Sequence, residues 1–179
     1  KQHAYKPLLA LPMATGLTGT FGKAPMELKV LYHQNNDNGQ PGRVSFAFRI
    51  FDDGPSPIDL SRLALRYWLS ANSSNLPPGS LSVDSGQLGG VPLPADVKST
   101  PRGDYLEIRF PPSAGTVERY RATAPVTVRF QESATLGVIA PSDYSFSTAT
   151  LQPDQYQEWN RVTLYLDGKL VWGREPGGK

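Results

Sequence analysis

The chain contains no cysteine. Disulfides, thiolate metal sites, iron–sulfur clusters and a cysteine nucleophile are therefore excluded. Its two histidines, His3 and His33, are too few and too far apart for a zinc site without thiolates. Neither sign of charge dominates, with 18 lysines and arginines against 16 aspartates and glutamates. That balance gives no footprint for nucleic acid or an anionic membrane, so neither is expected as a partner. No apolar run reaches the roughly 18 residues a membrane-spanning helix needs. No glycine-rich phosphate loop opens a helix, and nothing marks a nucleophile elbow. The acidic pair Asp52-Asp53 runs straight into Gly54-Pro55, which reads as a solvated turn. A small sandwich seldom supplies the cleft that a glycoside-cleaving carboxylate pair needs. No catalytic activity is expected. No leader is visible, and an opening of Lys1-Gln2-His3 without an initiator Met reads as a processed or excised fragment.

What the chain does have is punctuation. Seventeen glycines and 17 prolines occur in 179 residues, a density that helices do not tolerate. Three tryptophans, eight tyrosines and seven phenylalanines exclude a fully disordered chain. A chain this long buries about 70% of its unfolded surface and needs no covalent staple. Residues 1–25, rich in small residues and closed by Pro25, read as a linker or extended arm. The body is assigned to 26–176, with 177–179 as a tail.

Within the body the hydrophobic period is two. Val44, Phe46, Phe48 and Ile50 share one face, as do Leu63, Leu65, Tyr67 and Leu69. Leu106, Ile108 and Phe110 form a third set, and Val126, Val128 and Phe130 a fourth. Two apolar runs, 162–166 and 169–172, flank Asp167-Gly168, the signature of a type I′ hairpin. The stretch 71–103 carries no aromatic and reads as loop, with one short strand expected near Ser80–Val83 or Ala95–Ser99. Many short strands between Gly/Pro/Ser turns predict an all-β fold, an antiparallel sandwich or jelly roll.

The positions opposite the core sets carry the chemistry. Arg66 and Trp68, then Tyr105, Glu107 and Arg109, then Thr163 and Tyr165 face outward. On neighbouring strands they would mix aromatic rings with planar charged groups, a surface suited to sugars. The competing reading makes Trp68 and Tyr165 members of cross-strand pairs covered by a loop or by the N-terminal arm.

These residues carry a resemblance. The runs Glu27–Tyr32, Phe46–Ile50 and Pro57–Trp68 resemble the first third of a family 3 cellulose-binding module. Tyr105-Leu106-Glu107-Ile108 and Gly115-Thr116 resemble its middle. Ser142-Asp143-Tyr144-Ser145-Phe146, Glu158–Thr163 and Leu170–Pro176 resemble its C-terminal signature, so the likeness spans about residues 27 to 176.

The resemblance implies a jelly-roll β-sandwich of about nine strands that anchors secreted cellulases or scaffolding proteins to crystalline cellulose. In that family a flat strip of rings, an acid–histidine pair and an arginine grips the polymer. Here Asn72–Pro77 stands where the Trp-Cys-Asp-His segment is expected, and the strip tryptophan falls on Thr135. Arg129 keeps the strip arginine. Among the anchoring positions Asn36 is kept, while Gly42 and Thr127 replace amides. A weakened or altered grip on cellulose, or on another β-glucan, is the expectation. The family's shallow groove on the opposite sheet maps to Arg66, Trp68, Glu107, Tyr144 and Tyr165. Its ligand is open between a single glycan chain and a linker peptide, and Tyr5 and Phe21 of the arm are further occupants to consider. The family's structural calcium implies ligands at Ser70, Asn72, Ile139 (through its carbonyl), Ser142 and Asp143, with Asp143 bringing the charge. Implied partners are a polysaccharide and a covalently linked catalytic or scaffold domain, in an extracellular setting. The rival function is an interaction module that docks onto a partner domain through the groove.

Overall fold

The computed structural model describes residues 27–35, 43–70, 81–132 and 142–177. The arm at 1–25 and the positions Asn36, Gly42, Asn72, Thr135 and Ile139 lie outside them. In chain order the strands are β1 (Leu28–Gln34), β2 (Arg43–Asp52), β3 (Ile58–Asp59), β4 (Leu63–Trp68) and β5 (Leu81–Leu88). There follow β6 (Val91–Pro92), β7 (Ala95–Thr100), β8 (Gly103–Arg109), β9 (Thr116–Val117) and β10 (Arg121–Ala122). The last four are β11 (Val126–Glu132), β12 (Gln157–Glu158), β13 (Val162–Leu166) and β14 (Lys169–Trp172). Among the described residues there is no α-helix, and single-turn 3-10 segments lie at Leu60–Arg62 and Pro112–Ala114.

The strands form two main sheets. One has seven strands in the order β12-β1-β2-β11-β5-β6, with β10 added against β2. The other has five strands in the order β14-β13-β4-β8-β7. A short β3–β9 ribbon completes the set. Among the described residues every pairing is antiparallel. The alternation read from sequence sets the layers. Val44, Phe46, Phe48 and Ile50 from one sheet meet Leu63, Leu65 and Tyr67 from the other in a single core. Phe46 stacks on Tyr67 across the two layers (centroids 4.9 Å, interplanar angle 12°), and Phe130 meets Tyr67 edge-on at 5.5 Å. Such pairs add about 0.5–1.5 kcal/mol each beyond the apolar area they bury.

The β13–β14 hairpin closes through Asp167 (φ 49°) and Gly168 (φ 77°), the two positive angles of a type I′ turn. The Trp172-Gly173-Arg174 run has a sharper requirement. Gly173 sits at φ 85°, and a Cβ there would lie 2.1 Å from the Val162 carbonyl oxygen, so only glycine fits. Arg174 N then donates to Asn160 O (2.7 Å), tying the segment after β14 to the turn that leads into β13.

The stretch 71–103 departs from expectation. Where one short strand was expected, near Ser80–Val83 or Ala95–Ser99, both places hold one, β5 and β7, with β6 between them. β5 pairs with β11 along its whole length, and β5 returns into β6 through Gly89 (φ 55°) and Gly90 (φ 85°). A Gly-Gly pair between Leu88 and Val91 is itself a hairpin signal. β7 is an edge strand with mostly exposed or half-exposed residues, so it carries no strong alternation.

Candidate functional site

The sandwich presents two outer faces. On the five-stranded sheet, register places Thr163, Arg66, Glu107 and Asp96 in one row across β13, β4, β8 and β7. Trp68, Tyr105 and Lys98 form the next row. The groove residues named from sequence are thus brought together, but their environment is specific. Trp68 is fully buried at 0% exposure. Its Nε1 donates to Thr163 Oγ1 (2.8 Å), and its ring packs on that of its cross-strand partner Tyr105 (4.8 Å). The cross-strand-pair reading describes its position, and it lies beneath the face as support.

Arg66 lies between two tyrosines. Its guanidinium carbon is 4.4 Å from the Tyr105 ring centroid and 3.9 Å from that of Tyr165. The faces that a sugar would stack on are occupied by a cation. Glu107, 4% exposed, gathers three positive groups: Arg66 Nε (3.0 Å), Lys98 Nζ (2.6 Å) and Arg109 Nε (2.8 Å). Burial by itself pushes this carboxyl up. The hydrogen bonds from Lys98, Arg109 and Arg66 outweigh it and hold the group below its ordinary value. Tyr165 donates its hydroxyl to Glu175, which also pairs with Arg102. Burial, then the Glu175 hydrogen bond, push the Tyr165 hydroxyl up to about 12. Sequence reasoning left Lys98 and Glu175 out of this cluster, because cross-strand register and the path of the chain after β14 decide their membership.

Tyr144 is half-exposed, with the Arg161 guanidinium 5.5 Å from its ring. Together with Arg102, Ser70, Ser142 and Asp143 these residues line a cavity of about 560 Å³ at one end of the face. The Asp-Tyr-Ser-Phe motif earns its place mechanically. Asp143 Oδ1 accepts from Ser70 N (2.8 Å). Ser145 Oγ accepts from Trp68 N (2.7 Å) and donates to Arg161 O (2.6 Å). The motif therefore closes the ends of β4 and β13 over the core.

Of the calcium positions, Ser70, Ser142 and Asp143 are brought together on that cavity wall, while Asn72 and Ile139 are outside the described residues. No group of three or more His, Asp or Glu side chains gathers among the described residues. A calcium ion wants six to eight oxygens, often several of them charged. The described donors, two hydroxyl residues and one carboxylate already engaged by a backbone N–H, fit only part of such a site.

The outer face of the seven-stranded sheet is built differently. Its central row runs His33, Ala47, Thr127, Gln87 across β1, β2, β11 and β5. Arg129, half-exposed on β11, stands in the next row opposite Ser45 and Ser85. In this central row His33 and Ala47 are buried, while Thr127 and Gln87 are exposed. Asn36, the other strip position, lies outside the described residues. One aromatic that sequence reasoning did not assign arrives here: Tyr156, whose ring sits 5.8 Å from His33.

Comparison with known proteins adds the following. The family model described as "Cellulose binding domain" matches residues 29–173. Cellulosomal-scaffolding protein A of Acetivibrio thermocellus is 33% identical over 165 residues, covering 84% of this chain and 8% of that protein. The chain therefore spans a small part of that relative's length. Among solved structures, the unique CBM3 module of Hungateiclostridium clariflavum superposes with a TM-score of 0.70 at 27% identity, covering 84% of this chain and 99% of that one. A biomass sensing module from Rsgi-like proteins of Clostridium thermocellum superposes with a TM-score of 0.68 at 25% identity, covering 84% and 99%. With the sandwich, its motifs and the match to the family model in hand, the chain belongs to the cellulose binding domain family and is a non-catalytic carbohydrate-binding module.

Proposed function

We propose that this module fastens a larger extracellular protein to cellulose or a related β-glucan, and that the contact surface is the outer face of the seven-stranded sheet. The observation that carries the choice of face is the state of the rings on the other one. Trp68 is buried, and Tyr105 and Tyr165 sandwich Arg66. The seven-stranded face instead offers half-exposed Arg129 and exposed Thr127 and Gln87. A planar polymer can pair its edge hydroxyls with such exposed polar groups. Because Thr135 stands where the family's strip carries a tryptophan, adsorption to crystalline cellulose is weaker than for a module with its full row of rings.

The test is affinity electrophoresis in hydroxyethyl cellulose together with a pull-down on microcrystalline cellulose. Retardation in the soluble polymer with weak adsorption to the crystalline one supports the reading. Absence of binding to every β-glucan sinks it and favours docking.

That second reading, a groove that takes a peptide or linker, rests on one feature. Glu175, just past β14, is bound to Tyr165 and Arg102, so the chain leaving the last strand already lies on the five-stranded face. For calcium, Ser70, Ser142 and Asp143 would act with Asn72 and Ile139. A fall in melting temperature on adding a chelator supports this, and an unchanged melting curve removes it.

A further inference from the structure

The seven-stranded face holds an aromatic group that the family's strip positions do not account for. β12 pairs with β1 so that Glu158 meets Leu31 and Gln157 meets Tyr32. Tyr32 points into the core, so Gln157 lies on that side of the sheet, and one residue earlier Tyr156 falls beside His33 on the outer side. The rings confirm this placement, 5.8 Å apart at 53°. The loop bearing the tyrosine is held before any ligand arrives. His33 Nδ1 must carry its proton, since it lies 2.8 Å from the Gln155 carbonyl, which can only accept. Gln155 N donates to Gln152 O (2.9 Å), and Gln152 N donates to Gln155 Oε1 (3.2 Å).

Arg49, opposite Leu31 on β2, brings its guanidinium carbon 6.0 Å from the Tyr156 centroid. Its Nε donates to Thr123 O (2.8 Å). Among the described residues its two terminal amino groups and the Tyr156 hydroxyl make no hydrogen bond. A half-exposed ring and a fixed planar cation thus stand at one end of the row that continues through Ala47, Thr127 and Gln87. From His33 to Gln87 the row crosses three strand spacings, about 14 Å.

We infer that Tyr156 is a sugar-stacking residue of this face. The apolar C–H side of a β-glucan residue lies on its ring, Arg49 pairs with that sugar's hydroxyls, and the chain runs on over Thr127 and Gln87. A β-linked glucan suits this geometry because its ribbon is flat, with hydroxyls at its edges and C–H faces above and below. The inference rests on the assignment of β-glucan binding to this sheet.

The test uses affinity electrophoresis in hydroxyethyl cellulose with Tyr156→Ala, Tyr156→Phe, Thr127→Lys and, as an exposed tyrosine outside the row, Tyr120→Ala. Thermal melts run in parallel, so that loss of fold is told from loss of contact. The expected result is about tenfold weaker binding for Tyr156→Ala, near wild-type binding for Tyr156→Phe, and weakened binding for Thr127→Lys, whose added cation obstructs the row. Tyr120→Ala retains wild-type affinity. Tyr156→Ala binding as tightly as wild type overturns this inference and leaves the assignment of function standing. Wild-type protein that binds no β-glucan overturns both.

Discussion

The two outer faces of this sandwich are made from the same ingredients, tyrosine and arginine, and they arrive at opposite states. On the five-stranded sheet the groups satisfy one another. Arg66 is sandwiched by Tyr105 and Tyr165, and Glu107 holds three cations. On the seven-stranded sheet they are spread apart. Arg49 and Tyr156 stand at one end of the central row and Arg129 stands in the neighbouring row. The difference teaches that aromatic content does not mark a ligand surface. What marks one is a ring that stays half-exposed, as Tyr156 does, where Tyr105 and Tyr165 are buried against the closely stacked Arg66.

Three experiments press on this comparison. The largest effect belongs to Trp68→Ala. Trp68 is completely enclosed, so its loss costs about 3–5 kcal/mol of stability, measured by denaturant unfolding. Glucan binding by the folded fraction stays unchanged. A full-strength fold with lost binding would instead make Trp68 a contact residue and break the contrast between faces.

Next comes Glu107→Gln. Removing the charge leaves Arg66, Lys98 and Arg109 clustered without their shared carboxylate, at a cost of about 1–3 kcal/mol at neutral pH. The lowered folded-state value gives the sign. Stability from this group is present above the ordinary glutamate range and fades as the pH falls through the lower folded-state value. The wild type therefore loses its advantage over Glu107→Gln on acidification, which melting temperatures against pH would show.

The smallest effect is Tyr165→Phe, about 1 kcal/mol at neutral pH for the lost Glu175 hydrogen bond. Here the folded value is raised, to about 12. The contribution is intact below pH 10 and declines as pH rises towards 12. Alkaline titration of stability should fall in the wild type and flatten in the variant. A parallel decline in both proteins would show that this hydroxyl is not clasped on the sheet.

Much of the architecture was readable from the residues. The period-two sets became facing core rows, Asp167-Gly168 became a type I′ turn, and the outward positions Arg66, Glu107 and Tyr165 did converge. Strands β5 and β7 were readable only as alternatives for one short strand, near Ser80–Val83 or Ala95–Ser99, because alternation fades in a segment as exposed as β7. Tyr156 escaped for another reason. It sits in a loop that no periodicity describes, and only the pairing of β12 with β1 turns it onto the outer face.

The sequence by itself determined which side of each strong strand is apolar, and with it the two-layer core. Side-chain alternation is local, imposed by the backbone whatever the neighbours are. Whether an outward ring is open, buried or already covered was decided by tertiary structure alone. That outcome depends on which residues register and chain path bring within about 5 Å, as they bring Arg66 over Tyr165 and leave Tyr156 half-exposed at the rim.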